Sequence, residues 1–307
     1  MSSNTLEGKK GVTVFGTGNL GLSLLKSLAD KGIQLSNRHF GKDQSELVVN
    51  GQNVEIITSA DFGSSDFELF REEVSYIIVT VTGEVLDQEI DFLLKLQVPL
   101  IIMSTKYHEK LINEKVAEAA ASVIFLPNGL LAIIDFWNRL QQLPSLGYGS
   151  EVITSLIESH QSGKADPSGT GIKTLNYLNQ KGFRVNFDFS GYNSRQDGYY
   201  GFVQCIREVK SQKAIGVDEE FLTAHGYHIY HLNYVMADQR ADKYMKKMHE
   251  SLSSLEDYSV EGIFKFKVYF SQHGLVIIHN MNGRGAYAEG VVKSMNFLNN
   301  QPKGVYS

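Results

Sequence analysis

The sequence predicts an α/β protein of two domains: a parallel sheet first, then an α+β domain built on an open mixed sheet. Three observations carry this. The chain has 307 residues, and domains average about 150. In its first part, strands that are apolar throughout alternate with segments of helical spacing, the mark of a parallel sheet covered on both faces. Past Gly182 the apolar period drops to two, which reads as a half-exposed antiparallel or mixed sheet. The change of period places the domains at residues 1–128 and 129–283, with 284–307 forming a helix and tail that return to the first domain.

The elements follow in order. Val12 to Phe15 is a buried strand, and Leu22, Leu24, Leu25, Leu28 and Ala29 have helical spacing after it. Ile33 to Leu35 reads as the second strand, and Ser75–Val81, Val98–Met103 and Val123–Leu126 as three more. Leu86 to Leu96 is helical. In the second domain Gly129 to Leu143 is a helix with Trp137 as a core anchor, and Val152 to Ile157 a strand. Phe183, Val185, Phe187 and Phe189 alternate, as do Phe264, Phe266, Val268 and Phe270, and Val276–Ile278 adds a strand. Cys205 reads as a buried strand residue. Tyr244, Met245, Met248, Leu252 and Leu255 form the apolar stripe of an amphipathic helix. Gly285 to Asn299 is the last helix.

Composition excludes several classes. A hydrophobic fraction of 42% and a charged fraction of 21% suit a chain that buries a core. A net charge of -5 argues against broad electrostatic binding to nucleic acid or an anionic membrane. A single cysteine excludes a disulfide framework and fits a reducing compartment. No apolar run reaches the length of a spanning helix, and the polar start has no signal-peptide core. A cytoplasmic protein is expected.

The turn after the first strand is Gly16-Thr17-Gly18-Asn19-Leu20-Gly21, in the strand–turn–helix context of a Rossmann-type dinucleotide site. Gly16 allows the tight turn, Gly18 lets a pyrophosphate approach the backbone, and Gly21 lets the helix pack on the strand. The helix N-terminus offers free N–H groups to the anion. After the expected second strand stand Asn37 and Arg38, where an acidic residue would take the ribose of NAD. A guanidinium there suits a 2′-phosphate, so NADPH is expected, with NADH possible. Thr80, Ser104 and Thr105, at carboxyl ends of later strands, are further cofactor candidates.

The second informative run is Glu158-Ser-His160-Gln161-Ser-Gly-Lys164-Ala-Asp-Pro167-Ser168-Gly169-Thr170-Gly171. His160 titrates near neutrality and suits a general acid; Lys164 can bind an anion or donate a proton. Ser168, Gly169 and Thr170 start a helix whose N–H groups can hold a carboxylate. This run resembles the signature E-x-H-H-x-x-K-x-D-A-P-S-G-T-A of dihydrodipicolinate reductases, with one residue deleted before Pro167. The segment Val123–Asn128, the run Ile278-His279-Asn-Met-Asn-Gly-Arg284-Gly-Ala-Tyr287-Ala-Glu-Gly290 and the tail Phe297–Tyr306 are similar to further segments of that family.

The resemblance implies hydride transfer from a nicotinamide to a conjugated cyclic imine or enamine with two carboxylates. It implies His160 and Lys164 as catalytic groups, Gln161, Ser168, Gly169 and Thr170 as substrate contacts, and Asn128 as a cofactor contact. It also implies a homo-oligomer, dimer or tetramer. Departures accompany the matches. Gln161 replaces a second histidine, the glycine loop is shorter, and the family's G-T-T-G has become Met103-Ser104-Thr105-Lys106. These favour, as an alternative, a repurposed enzyme acting on another cyclic imine or unsaturated acid. A non-catalytic NADPH sensor is the third reading.

The stretch 218–258 reads as an insertion, a lid or a subunit contact. It contains His225, His228 and His231, whose steps of three scatter around a helix or alternate faces on a strand, so no metal site is expected there.

Overall fold

A computed structural model describes residues 10–63, 66–105, 107–146, 152–235 and 239–306. The chain divides into two compact units, one of residues 1–130 and 285–307 and one of residues 131–284.

The first unit opens with β1 (Gly11–Phe15), buried throughout, and α1 (Asn19–Asp30), which buries Gly21, Leu24, Leu25 and Leu28. The second strand differs from expectation. Leu35 makes only an isolated bridge to Val12, and the ladder proper is β2 (Arg38–Phe40), with Phe40 opposite Phe15. Phe40 sets this register. Its ring lies 5.2 Å from Phe15 and 5.5 Å from Phe70, in the core of the unit. A hairpin follows, β3 (Ser45–Val49) and β4 (Gln52–Ile57), turning at Asn50 and Gly51 with φ of 48° and 84°. Two positive φ values are what a tight hairpin turn demands, and Asn-Gly meets them.

Next come α2 (Asp66–Glu73), β5 (Val74–Val79), α3 (Gly83–Lys95), β6 (Leu100–Ile102), α4 (Glu109–Glu118) and β7 (Val123–Phe125). Apart from the β3–β4 hairpin the ladders are parallel. Of these, β1, β5, β6 and β7 are nearly all apolar, as strands buried on both faces are, whereas β2 and β4 carry polar residues.

The second unit begins with α5 (Leu131–Gln142), β8 (Val152–His160) and α6 (Gly169–Gln180). It continues with β9 (Gly198–Tyr200), β10 (Val203–Ile206), α7 (Val209–Ala214), β11 (His225–Tyr234), α8 (Gln239–Ser253), β12 (Phe264–Ser271) and β13 (Gly274–Asn282). The sheet runs β12-β13-β11-β8-β10-β9, with β8 and β10 parallel and the other pairs antiparallel. Two expectations are corrected here. The alternating run Phe183–Phe189 is not a strand: it touches the sheet through one bridge, Arg184 to Ile153, and Asn186 accepts from the Phe202 N–H. The stretch 218–258 is no appended lid, because β11 lies between β13 and β8 in the middle of the sheet. Its α8 buries Tyr244, Met245, Met248 and Leu252 within the same unit.

The chain then rejoins the first unit. In α9 (Tyr287–Asn299) the Gly290 N–H donates to the Gly129 carbonyl, and the Tyr76 hydroxyl donates to the Met295 carbonyl at 3.2 Å. The tail adds β14 (Val305–Tyr306), parallel to β7. The sheet order is β14-β7-β6-β5-β1-β2-β4-β3.

The glycine turn tests how tightly α1 is seated. A Cβ at Gly21 would fall on the Gly16 carbonyl oxygen, backbone that cannot step aside, whereas nothing lies within 4 Å of one at Gly18. Gly21→Ala should therefore cost about 1–3 kcal/mol in urea unfolding. Gly18→Ala, at an ordinary φ of -70° and with open space for its Cβ, should cost less, under about 1 kcal/mol from the poorer N-cap.

Candidate active site

The glycine turn is held from three sides. Gly16 has φ 109°, its N–H donates to the Phe40 carbonyl, and its carbonyl accepts from the Thr80 hydroxyl at 2.6 Å. Gly18 is the N-cap of α1 and no side chain caps the helix there. Thr17, Asn19, Leu20 and Gly21 share this turn, and its backbone N–H groups suit a pyrophosphate. Thr80 thus braces the loop. Ser104 follows β6, buried, and its hydroxyl finds no hydrogen-bond partner among the described residues. Thr105 beside it is exposed. Asn128 is buried and accepts from the Leu130 N–H at 2.9 Å.

Asn37 and Arg38 are not brought to this loop. The ladder of β2 starts at Arg38, so both residues stand toward the amino end of the strand, while the loop lies beyond its carboxyl end. Arg38 pairs with Glu73 at 3.1 Å, and Asn37 accepts from Gln52 and lines a polar cavity with Lys10, Ser36 and Glu72. The shift of the strand from 33–35 to 38–40 moves them away. Gly41 and Lys42 take the place at the carboxyl end. A Cβ on Gly41 would come within 2.5 Å of the Thr17 hydroxyl, so the backbone there abuts the glycine turn.

In the second unit the chemistry-bearing run forms the end of β8, a turn, and the start of α6. Strand register builds its wall. On β8, Glu158 is paired with His228 of β11 on one side and Cys205 of β10 on the other; His160 is paired with Gly226. A Cβ on Gly226 would meet the His160 ring at 3.1 Å, so glycine makes room for the imidazole.

Glu158 forms an ion pair with Arg207, their side chains 1% and 0% exposed. The rest of the guanidinium is satisfied too: Nε donates to the Tyr192 hydroxyl at 2.9 Å and Nη1 to the Ile206 carbonyl at 2.8 Å. Tyr192 in turn donates to the Lys164 carbonyl at 2.9 Å. A buried charge thus reaches, through two side chains, the backbone that carries the predicted lysine. Gln212 donates to the His160 carbonyl at 2.8 Å and steadies the other end of the turn.

His160 donates from Nδ1 to the His225 carbonyl at 2.9 Å, because a carbonyl can only accept. Its Nε2 faces Glu158 Oε2 at 3.4 Å. Ser168 is the N-cap of α6: its hydroxyl oxygen accepts from the Gly171 N–H and meets His228 Nε2 at 2.6 Å. The side chain expected to hold substrate thus also caps the helix. Gly169 is exposed, and Gln161, Lys164 and Thr170 are partly buried in the same turn and helix start.

Electrostatics follow from burial. Burial pushes the Glu158 carboxyl up, but His160 and Arg207 outweigh it and hold the group below the usual range. Burial drives His160 down to about 4, opposed by Glu158 and reinforced by Lys164 and Arg207. His279 falls to about 3 and His228 well below its ordinary value, burial being the main cause in both. Arg207 and Gln212 escaped the reading of the sequence, and His228 was read there only as part of a histidine run. One local signal was present: an arginine directly after the apolar strand Val203–Ile206.

A glycine turn on a parallel sheet, with a second sheet unit carrying a buried charge cluster beside a helix start, defines a class: two-unit nicotinamide-dependent oxidoreductases. The family described as dihydrodipicolinate reductase, C-terminus, matches residues 140–307. The chain belongs to the dihydrodipicolinate reductase family. It is 24% identical to 4-hydroxy-tetrahydrodipicolinate reductase 1, chloroplastic, of Arabidopsis thaliana, over 92% of this chain and 70% of that protein. The second Arabidopsis reductase of that name is also 24% identical, over 92% and 69%. Among solved structures, dipicolinate-bound dihydrodipicolinate reductase from Paenisporosarcina sp. TG-14 superposes with TM-score 0.54 at 11% identity, covering 97% and 98% of the two chains. Aspartate semialdehyde dehydrogenase II from Vibrio cholerae gives 0.55 at 11% identity, covering 95% and 99%. Both show the fold. Among the described residues no helix is long and apolar enough to cross a membrane.

Buried neutral histidines make stability depend on pH, and the sign is fixed. His39 and His160 are lowered to about 4 and His279 to about 3, against about 6.5 in the unfolded chain. Between these values the unfolded chain binds more protons, so stability is full above pH 6.5 and is lost as pH falls toward 4. The depressed Glu158 adds a loss of the same sign lower down. Urea midpoints measured from pH 7.5 to 4 should fall steadily. A flat profile would show that these rings are not buried neutral.

Proposed function

We propose that this protein reduces dihydrodipicolinate, a conjugated cyclic imine with two carboxylates, in lysine biosynthesis, with NADPH as its cofactor. One observation carries the reading: the turn of the Glu158–Gly171 signature that carries Lys164 is tied through Tyr192 to the buried Glu158–Arg207 pair.

The glycine turn fits a dinucleotide. Gly18 leaves the approach open, and the N–H groups of Asn19 and Leu20 start an α1 that no side chain caps. When bound, the nicotinamide supplies hydride to the imine. The preference for NADPH rests on Lys42, a cation beside Gly41, rather than on Arg38, which is held by Glu73. Lys42→Ala should raise KM for NADPH about tenfold, a loss of about 1.4 kcal/mol in a charge-assisted phosphate contact, with little change for NADH. Arg38→Ala should leave the ratio of the two KM values unchanged.

On the substrate side, the N–H groups of Gly169 and Thr170 orient a carboxylate, and Lys164 pairs with it. Lys164 is also the proton donor in this reading. His160 is neutral at physiological pH, with its remaining lone pair turned to Glu158, so it positions rather than protonates. This narrows the pair of candidate acids to Lys164.

A specific observation favours a second reading, an enzyme repurposed for another unsaturated cyclic acid. Gln161 stands where the family signature has histidine, and Ser104 and Thr105 stand in place of its G-T-T-G. NADPH consumption with freshly generated dihydrodipicolinate separates the readings. Turnover that Lys164→Ala lowers by about 10²–10⁴ supports the first. Tight NADPH binding with no turnover on this substrate, but turnover on another cyclic imine, supports the second. Binding without turnover on any of them would leave an NADPH sensor.

A further inference from the structure

Three polar side-chain atoms of the second unit face one another where β8 meets β11. Among the described residues, Glu158 Oε2, His160 Nε2 and His228 Nδ1 are buried without a hydrogen-bond partner. They converge, all three lying within 4.8 Å of one another. A buried polar atom left unpaired is costly, and three that face one another need a common explanation.

The second polar atom of each group is already engaged. Glu158 Oε1 pairs with Arg207, His160 Nδ1 donates to the His225 carbonyl, and His228 Nε2 meets the Ser168 hydroxyl. The bond from Nδ1 leaves His160 Nε2 as a lone pair, directed at Glu158 Oε2 at 3.4 Å. Two acceptors thus oppose each other. The arrangement comes from strand register: Glu158 and His228 are cross-strand partners, and His160 lies two residues along the same face.

We propose that Glu158, His160 and His228 form a binding site for a divalent transition cation of the zinc class. Two imidazole nitrogens and one carboxylate oxygen are the donor set of zinc sites that keep a fourth position for water or an anion. Bonds of about 2.0–2.2 Å in a tetrahedron separate ligand atoms by roughly 3.4 Å, the spacing already present between Glu158 and His160. Partners that fix the far atom of each ligand are what orient imidazoles and carboxylates around a metal. Magnesium and calcium, which seek oxygen, do not suit two nitrogen donors. The cations Arg207 and Lys164 oppose a dication, and an anion in the fourth position offsets them. The site shares His160 with the proposed reductase site, and its test is read without cofactor or substrate, so it does not depend on turnover.

Zinc and cobalt(II) binding to the full chain tests this directly. Equilibrium dialysis should give one zinc per chain, and cobalt should show the intense visible absorption of a four-coordinate site. His160→Ala and His228→Ala should each weaken zinc binding by more than about tenfold, the least that even loss of an outer partner costs. His231→Ala, on the same strand but the opposite face, should leave it unchanged, and near-ultraviolet circular dichroism should show all three variants folded. The proposal is overturned by a weak six-coordinate cobalt spectrum in the unaltered protein, which requires no variant to fold. It is equally overturned if His228→Ala binds zinc as well as the parent, or if His231→Ala abolishes binding. Zinc binding with no dihydrodipicolinate turnover would sink only the reductase reading.

Discussion

The buried ion pair of Glu158 and Arg207 is the constraint on which the second unit depends. Moving two charges out of water costs several kcal/mol each, and attraction alone does not reliably return it. Here the remaining guanidinium donors are spent on Tyr192 and the Ile206 carbonyl, and the Arg207 N–H on Asp197. The pair therefore holds only while β8, β10 and the loop of Tyr192 are in place together. Through Tyr192 it also fixes the turn that carries Lys164, so the stability of the core and the placement of this turn are one requirement.

The same pair shapes the electrostatics of its surroundings. It leaves one carboxylate oxygen of Glu158 turned toward two histidines whose burial keeps them uncharged. Neutral rings around an ionised carboxylate make a site that can accept positive charge. Farther from that carboxylate lie Lys164 and the start of α6, the groups proposed to hold the substrate's carboxylate.

Much of this was legible in the sequence where the chemistry is local. The glycine turn needs small residues at fixed offsets after a strand, and the run from Glu158 to Gly171 needs its groups on consecutive residues, so both could be read directly. What failed was register. Ile33–Leu35 has the β-branched and apolar look of a strand, yet buried Phe40 fixes the ladder at residues 38–40, and a shift of this kind carried Arg38 to the wrong end. The alternation of Phe183 to Phe189 is real, but with one bridge it makes no ladder. Asn50-Gly51 was a readable hairpin signal that went unused. His228 and Arg207 meet Glu158 only because β10, β8 and β11 lie side by side, and nothing near them in the chain announces it.

The central claim is that the turn before α6 is a dicarboxylate site supported by the Glu158–Arg207 pair. Calorimetric titration with dipicolinate in the presence of NADPH tests it most directly, on the parent and on Lys164→Ala. Saturable binding of one dicarboxylate per chain, weakened about tenfold or more when the lysine's charge-assisted contact is removed, is the predicted result. Binding that survives Lys164→Ala undiminished, or no binding to a folded parent that holds NADPH, would contradict the account.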